Sequence, residues 1–118
     1  MDSITRLHAG PRMSQAVVHG ATIYLAGQVA DQAKGKSVGE QTKEILATID
    51  RLLAEPGSDK TKILSTTIYL ADIATFAEMN AVWDAWVAAG HAPARATVEA
   101  KLAQPVYTVE IACIAATA

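Results

Sequence analysis

Arg95 and Glu110 stand in two stretches near the C-terminus that read as strands, Ala94–Lys101 and Val106–Ala115. An arginine fork grips a carboxylate through two parallel contacts. A glutamate beside it can activate a water or carry a proton. Together they would suit an enzyme acting on a small organic acid. The linking Leu102-Ala103-Gln104-Pro105 is short enough to join the strands as an antiparallel hairpin. Pairing Lys101 with Val106 then puts Ala96, Val98, Ala100 and Leu102 on one face with Tyr107, Val109, Ile111 and Cys113. That face is almost wholly apolar and is expected to cover the helices. Arg95, Thr97, Glu99 and Lys101 fall on the other face with Val106, Thr108, Glu110 and Ala112. There Thr97 opposes Glu110, and Arg95 lies diagonal to it at a spacing of about 5 to 8 Å. The plain alternative is a cross-strand ion pair, which is commoner than catalysis for an arbitrary Arg and Glu.

Other chemistries find less support. His8, His19 and His91 are scattered without a second ligand at metal-site spacing, and the single cysteine cannot complete a thiolate cluster. No metal is expected. His91 precedes Pro93-Ala94-Arg95 and could line a pocket, although a solvated loop histidine is the commoner case. Cys113 falls on the apolar face with no histidine in view, as inert buried cysteines do. Gly35 and Gly39 match neither a phosphate loop nor a dinucleotide fingerprint. The formal charge of −2 and the scattered lysines offer no basic stripe, so nucleic acid is a poor candidate partner. The start of the chain lacks the apolar core of a signal peptide, and no run approaches the roughly 20 residues of a membrane span. A reducing cytoplasm is the expected location.

The elements that must position these residues follow from length and patterning. At 118 residues and 51% hydrophobic, the chain suits a single domain, 1–118, with a substantial core. Ile4–Leu7, Ala16–His19 and Thr22–Leu25 read as strands separated by Gly10-Pro11 and Gly20. Ser37-Val38-Gly39-Glu40 has capping-box spacing. It precedes Ile45, Leu46, Ile49, Leu52 and Leu53 on one helical face, and Pro56-Gly57 ends that helix. Ile63–Leu70 reads as a buried strand closed by Asp72. A second capping-box spacing, Thr75 to Glu78, opens a helix whose stripe is Phe76, Met79, Val82, Trp83, Trp86 and Val87. Both tryptophans are assigned to the core. The order is β-β-β-α-β-α-β-β, an α+β fold with two helices on one face of a mixed sheet. Val106, Ala112 and Ile114 would then lie on an uncovered face, which predicts that another copy of the chain covers it.

The run Pro93-Ala94-Arg95-Ala96-Thr97-Val98-Glu99, continued at Val109-Glu110-Ile111, resembles the signature of the reactive intermediate deaminase family, also called the RidA or YjgF family. The likeness extends through Gly10-Pro11, Ser14-Gln15-Ala16-Val17, Ala26-Gly27-Gln28, Thr66–Asp72 and Phe76–Asn80. Trp83–Trp86 and Gly90-His91-Ala92-Pro93 are most similar to the YoaB-like branch. The resemblance implies a chorismate-mutase-like fold in a homotrimer, with sites in clefts between subunits. It implies that Arg95 binds the carboxylate of a 2-imino acid and that Glu110 positions or activates water. Groups near Gly27 and Thr97 help hold the substrate, and Asn80 and Met13 are taken as further substrate-binding positions. The implied reaction is hydrolysis of enamines or imines such as 2-aminoacrylate to 2-keto acids and ammonia. An imine carbon is already electrophilic, so orientation, water and charge neutralisation suffice without a cofactor. Ala26, Thr97 and Met13 stand where serine, cysteine and an aromatic are common in the best-known branch. Those departures keep open a module that binds a 2-keto acid without turnover. A ribonuclease or translation inhibitor is the weakest alternative.

Overall fold

The computed structural model describes residues 3–118. Six strands share one mixed sheet: β1 (Ile4–Ala9), β2 (Ser14–His19), β3 (Thr22–Leu25), β4 (Ile63–Leu70), β5 (Ala94–Glu99) and β6 (Val109–Ala116). Their spatial order is β1-β2-β3-β6-β4-β5. Two helices, α1 (Val38–Ala54) and α2 (Phe76–Trp86), pack against one face. The expected α+β order and helix placement therefore hold. Among the described residues no helix is long and apolar enough to cross a membrane.

Helix α1 begins where its sequence says it must. The Glu40 amide donates to Ser37 Oγ at 3.2 Å and the Ser37 amide to Glu40 Oε2 at 3.3 Å, satisfying two free donors reciprocally. Its apolar stripe is buried against the sheet, with Ile45, Ile49 and Leu53 inaccessible to solvent. Buried Gln41 reaches across the layer. Its Nε2 donates to the Val106 carbonyl at 2.8 Å and its Oε1 accepts from the Thr108 amide at 2.9 Å. That amide fixes the approach to β6, and thus the strand that carries Glu110.

Helix α2 starts by a different device from the one expected. Thr75 makes no side-chain cap. A single 3₁₀ turn, Ile73–Thr75, precedes the helix and is capped by Asp72, whose Oδ1 accepts from the Ala74 amide at 2.9 Å. Glu78 is instead drawn to α1, where it accepts from the Gly39 amide at 2.9 Å. There the carboxylate meets the positive end of α1, which favours negative charge.

The expected β5–β6 hairpin is not formed. β5 runs parallel to β4, and β6 runs antiparallel to β4 on its other side, so β4 separates them. Parallel neighbours need a crossover, which α2 supplies between β4 and β5. The short connection after β5 then passes over the end of β4. The Ala100 amide donates to the Leu70 carbonyl at 2.9 Å, and the Ala71 amide to the Thr108 carbonyl at 3.0 Å. Asp72 turns the chain away just beyond, which clears the path.

This insertion changes the faces. Thr66 pairs with both Arg95 and Cys113, and Ile68 with both Thr97 and Ile111. Paired residues point to one side of a sheet, and Thr66, Ile68, Ile111 and Cys113 are all buried. Arg95 and Thr97 therefore point to the helix side. Tyr69 pairs with Val98 and Glu110, which point to the open side. The expected sharing of one face by Arg95 and Glu110 is thus reversed, because inserting β4 sets β5 against β6 one residue out of the predicted phase.

The open face is apolar, with Tyr24 47%, Val98 44% and Ile114 37% exposed. Ala112 lies on it with Thr67 and Ala96. Val106 does not: it precedes β6, and its carbonyl also accepts from the Gly35 amide at 3.0 Å.

Candidate active site

Glu110 is held from below by a two-bond bridge next to it. The Gln28 amide donates to the Ile111 carbonyl at 2.8 Å, and the Ile111 amide returns a bond to the Gln28 carbonyl at 3.1 Å. This draws Gly27 against the Glu110 side chain so closely that any β-carbon at position 27 would collide with the carboxylate. Glycine leaves the carboxylate its room there, and its backbone is not left-handed. The surrounding turn is braced. Gln28 Nε2 donates to Gln15 Oε1 at 2.9 Å and to the Ala26 carbonyl at 3.0 Å, and the Ala26 amide donates to the Gln15 carbonyl at 2.9 Å. Among the described residues the Glu110 carboxylate has no hydrogen-bond or ion-pair partner.

Arg95 sits on the edge strand β5, half-buried against α2. Its guanidinium carbon lies 5.3 Å from the ring centroid of Trp83 and 5.8 Å from that of Phe76. No carboxylate pairs with it among the described residues. The intrachain Arg–Glu ion pair, the plain reading of these two residues, is therefore not formed. Thr97 follows Arg95 on the same face, and its Oγ1 is buried with no hydrogen-bond partner. Asn80 lies on α2 between Phe76 and Trp83, and its Oδ1 is likewise buried and unpaired. A charged fork and two unpaired polar groups thus gather on the helix side of β5.

Met13 is 47% exposed in the β1–β2 turn, where its carbonyl accepts from the Gly10 amide at 2.8 Å. The residues divide into an Arg95–Thr97–Asn80 group and a Glu110–Gly27 group on opposite sides of the sheet. Clefts of about 470, 500 and 540 Å³ open among the described residues, and none of these is lined by Arg95 or Glu110.

The remaining reactive side chains are otherwise engaged. Burial raises the Cys113 thiol to about 11, with the Thr66 hydroxyl 3.4 Å from its sulfur acting in the opposite sense. A thiol so protonated at neutral pH is no nucleophile. His8 Nε2 lies 2.7 Å from Glu55 Oε1 on the surface, and the His8 backbone has φ of 52°. His91 is exposed, with Nδ1 3.1 Å from the Ala89 carbonyl. Among the described residues no three His, Cys, Asp or Glu side chains gather as a metal site.

Phe76 and Trp83 are the site neighbours that the sequence reading left in the core. The i, i+4, i+7 spacing of Phe76, Asn80 and Trp83 is the signal that could have found them, because it sets all three on one stripe of α2.

A mixed sheet backed by two helices, with an unpaired arginine on one side and an unpaired glutamate on the other, defines the architecture. Residues 3–117 match the family described as Endoribonuclease L-PSP, and the chain belongs to that family. It is 47% identical over 114 residues to the RutC family protein YoaB of Escherichia coli K12, covering 97% of this chain and 98% of that protein. The crystal structure of a YjgF family member from Neisseria meningitidis is 49% identical and superimposes with a TM-score of 0.95, covering 98% of this chain and 96% of that one. A more distant relative, the 2-iminobutanoate/2-iminopropanoate deaminase of Rattus norvegicus, is 34% identical over 107 residues, covering 86% of this chain and 77% of that protein. The expected RidA/YjgF membership and the YoaB-like resemblance agree with these likenesses.

Proposed function

We propose that the protein is a cofactor-independent deaminase that hydrolyses 2-imino acids, with each active site shared between two copies in a homotrimer. The observation that carries this reading is the division of the site. Among the described residues neither Arg95 nor Glu110 has an ion-pair or side-chain hydrogen-bond partner, and they point to opposite sides of one sheet. A substrate of a few heavy atoms cannot touch both in one chain, whereas the Arg95 side of one copy can meet the Glu110 side of the next. The apolar open face around Tyr24 and Ile114 is a suitable surface for such an assembly.

In the proposed reaction Arg95 holds the substrate carboxylate in two parallel contacts. Glu110 takes a proton from a water as the water oxygen adds to the imine carbon, and the C=N electron pair moves to nitrogen. Glu110 returns that proton to the nitrogen. The C–N bond breaks as the oxygen lone pair forms the keto group, and the hydroxyl proton passes through Glu110 to the nitrogen, which leaves as ammonia. An enamine such as 2-aminoacrylate first takes a proton at its terminal carbon to give the imine. Gly27 leaves room for the carboxylate of Glu110, while Thr97, Asn80 and Met13 contact the substrate.

The name of the rat relative supports the reaction class. The name of the matched family supports RNA cleavage, but the net charge of −2 and the dispersed histidines favour the small acid. Binding of a 2-keto acid without turnover is the second reading. It is favoured at Ala26, which presents only backbone polar groups to its neighbours where a hydroxyl is common. A reducing cytoplasm is the location that fits both readings.

The test generates 2-aminoacrylate and 2-iminobutyrate in situ and follows keto-acid release with wild type, Arg95→Ala and no protein. Faster release that disappears in Arg95→Ala is expected. Equal rates in all three, with saturable 2-ketobutyrate binding, would select the second reading.

A further inference from the structure

Arg95 occupies an edge strand, where a long cationic side chain ordinarily sweeps through many rotamers. Here it does not point freely into solvent. Phe76 and Trp83 lie seven residues apart on α2, about 10 Å along the helix axis. The guanidinium carbon is within 5.8 Å of one ring centroid and 5.3 Å of the other, so it is in contact range of both rings.

We infer that Phe76 and Trp83 form an aromatic clamp that positions the Arg95 guanidinium and presents its N–H edge to a planar carboxylate. The inference rests on the reading of Arg95 as the carboxylate anchor.

The chemistry of the partner is what points to this role. A carboxylate partner would fix Arg95 as firmly but would consume the donors that the substrate needs. Aromatic rings hold a cation through its face and leave its in-plane N–H donors free. No ion pair competes for Arg95 among the described residues. The rings also exclude water from the flanks, which strengthens attraction between the fork and an arriving anion.

The two jaws differ in rigidity. Trp83 is 5% exposed and belongs to the core. It packs on Trp86 with ring centroids 5.3 Å apart, and Trp86 is pinned where its Nε1 donates to Asp50 Oδ2 at 3.0 Å. Phe76 is 41% exposed and forms the outer jaw. Phe76 is therefore the position to change without opening a cavity in the core.

The test uses the full chain as wild type, Phe76→Leu, Phe76→Tyr, Arg95→Ala and the double variant Phe76→Leu/Arg95→Ala. One readout is the Kd for 2-ketobutyrate, a carboxylate that is not turned over. A second is the proton shift of the Arg95 Nε–H, which ring currents displace when the clamp is closed. Phe76→Leu is expected to weaken 2-ketobutyrate about five- to tenfold and to return the Arg95 resonance toward its solvent position. With 2-iminobutyrate the same change should appear in KM, with kcat altered less than about threefold. Phe76→Tyr should restore both readouts, and Phe76→Leu should add nothing in the Arg95→Ala background.

A Phe76→Leu variant with wild-type Kd and an unmoved Arg95 resonance overturns the clamp. So does a loss that Phe76→Tyr fails to restore, or one that persists undiminished without Arg95. If Arg95→Ala alone loses the ligand while Phe76→Leu binds normally, the clamp fails and the anchor stands. If Arg95→Ala binds and turns over as wild type does, the anchor itself fails and takes the clamp with it.

Discussion

The two faces of the sheet are built for different purposes. On the helix face Ile68, Ile111 and Val109 are inaccessible to solvent, and Gln41 and Thr66 are paired or held close, whereas Thr97 and Asn80 near Arg95 keep buried oxygens unpaired. On the open face Tyr24, Val98 and Ile114 remain exposed, and among the described residues Glu110 stands without an ion-pair or side-chain hydrogen-bond partner. A finished core buries its apolar groups and satisfies its polar ones. An unfinished face with both kinds of group waiting is the mark of a surface that meets something else. Arg95 complicates the contrast usefully, because it lies on the helix side yet at the sheet's edge, only half-buried against α2.

Four tests would sharpen or break this division. The largest effect is expected from Glu110→Gln, which keeps shape and removes the base. Deaminase kcat should fall about 10²- to 10⁴-fold with folding unaffected, as judged by steady-state rates and thermal denaturation. Retention of wild-type kcat would leave Glu110 without its proposed role.

Next in size is a contrast between faces. Ile68→Ala opens a cavity in the finished core and should cost about 2 to 5 kcal/mol in denaturant unfolding. Ile114→Lys on the open face should instead lower the molecular mass in solution while leaving the fold intact. Equal losses of fold stability from both would erase the distinction between the faces.

A smaller effect is expected from Gly27→Ala. The backbone at this position suits alanine, so the unfolding midpoint should barely move. The added carbon meets the Glu110 carboxylate and should displace it, lowering kcat by up to about a hundredfold. A wild-type rate would show that the closeness of Gly27 and Glu110 has no catalytic meaning.

The smallest concerns Cys113. Its thiol is raised from 9.0 to about 11, so folding favours the protonated form. That contribution to stability is fully present below pH 9 and is lost as pH rises through about 11. Ellman's reagent at pH 8 should therefore label the protein only upon unfolding, and rapid labelling of the folded chain would contradict the burial.

The sequence made local structure readable and long-range pairing much less so. The Ser37–Glu40 box and the stripe from Ile45 to Leu53 are written within one helix, and both are present as read. The strand order β1-β2-β3 followed equally from turns at Gly10-Pro11 and Gly20. The hairpin failed because a short loop permits adjacency without requiring it. Leu102–Pro105 can close a two-strand turn or pass over the end of a third strand, and the end of β4 at Leu70 allows the second course. The β4–α2–β5 succession was the competing signal, since a strand, a helix and a strand ordinarily make a parallel pair. Two candidate residues, Arg95 and Glu110, were legible from their types and from the surrounding motif. Their face was not, because a single step in register reverses every side chain of a strand.

The central claim is that Arg95 and Glu110 meet only across two copies of the chain. Arg95→Ala and Glu110→Gln should be assayed separately, then co-unfolded in equal amounts, refolded together and assayed again with 2-iminobutyrate. Neither variant alone should turn over the substrate, while random mixing in a ring of three should restore about a quarter of wild-type activity. A mixture no more active than its parents, with mixed assemblies demonstrated by mass, would contradict the account.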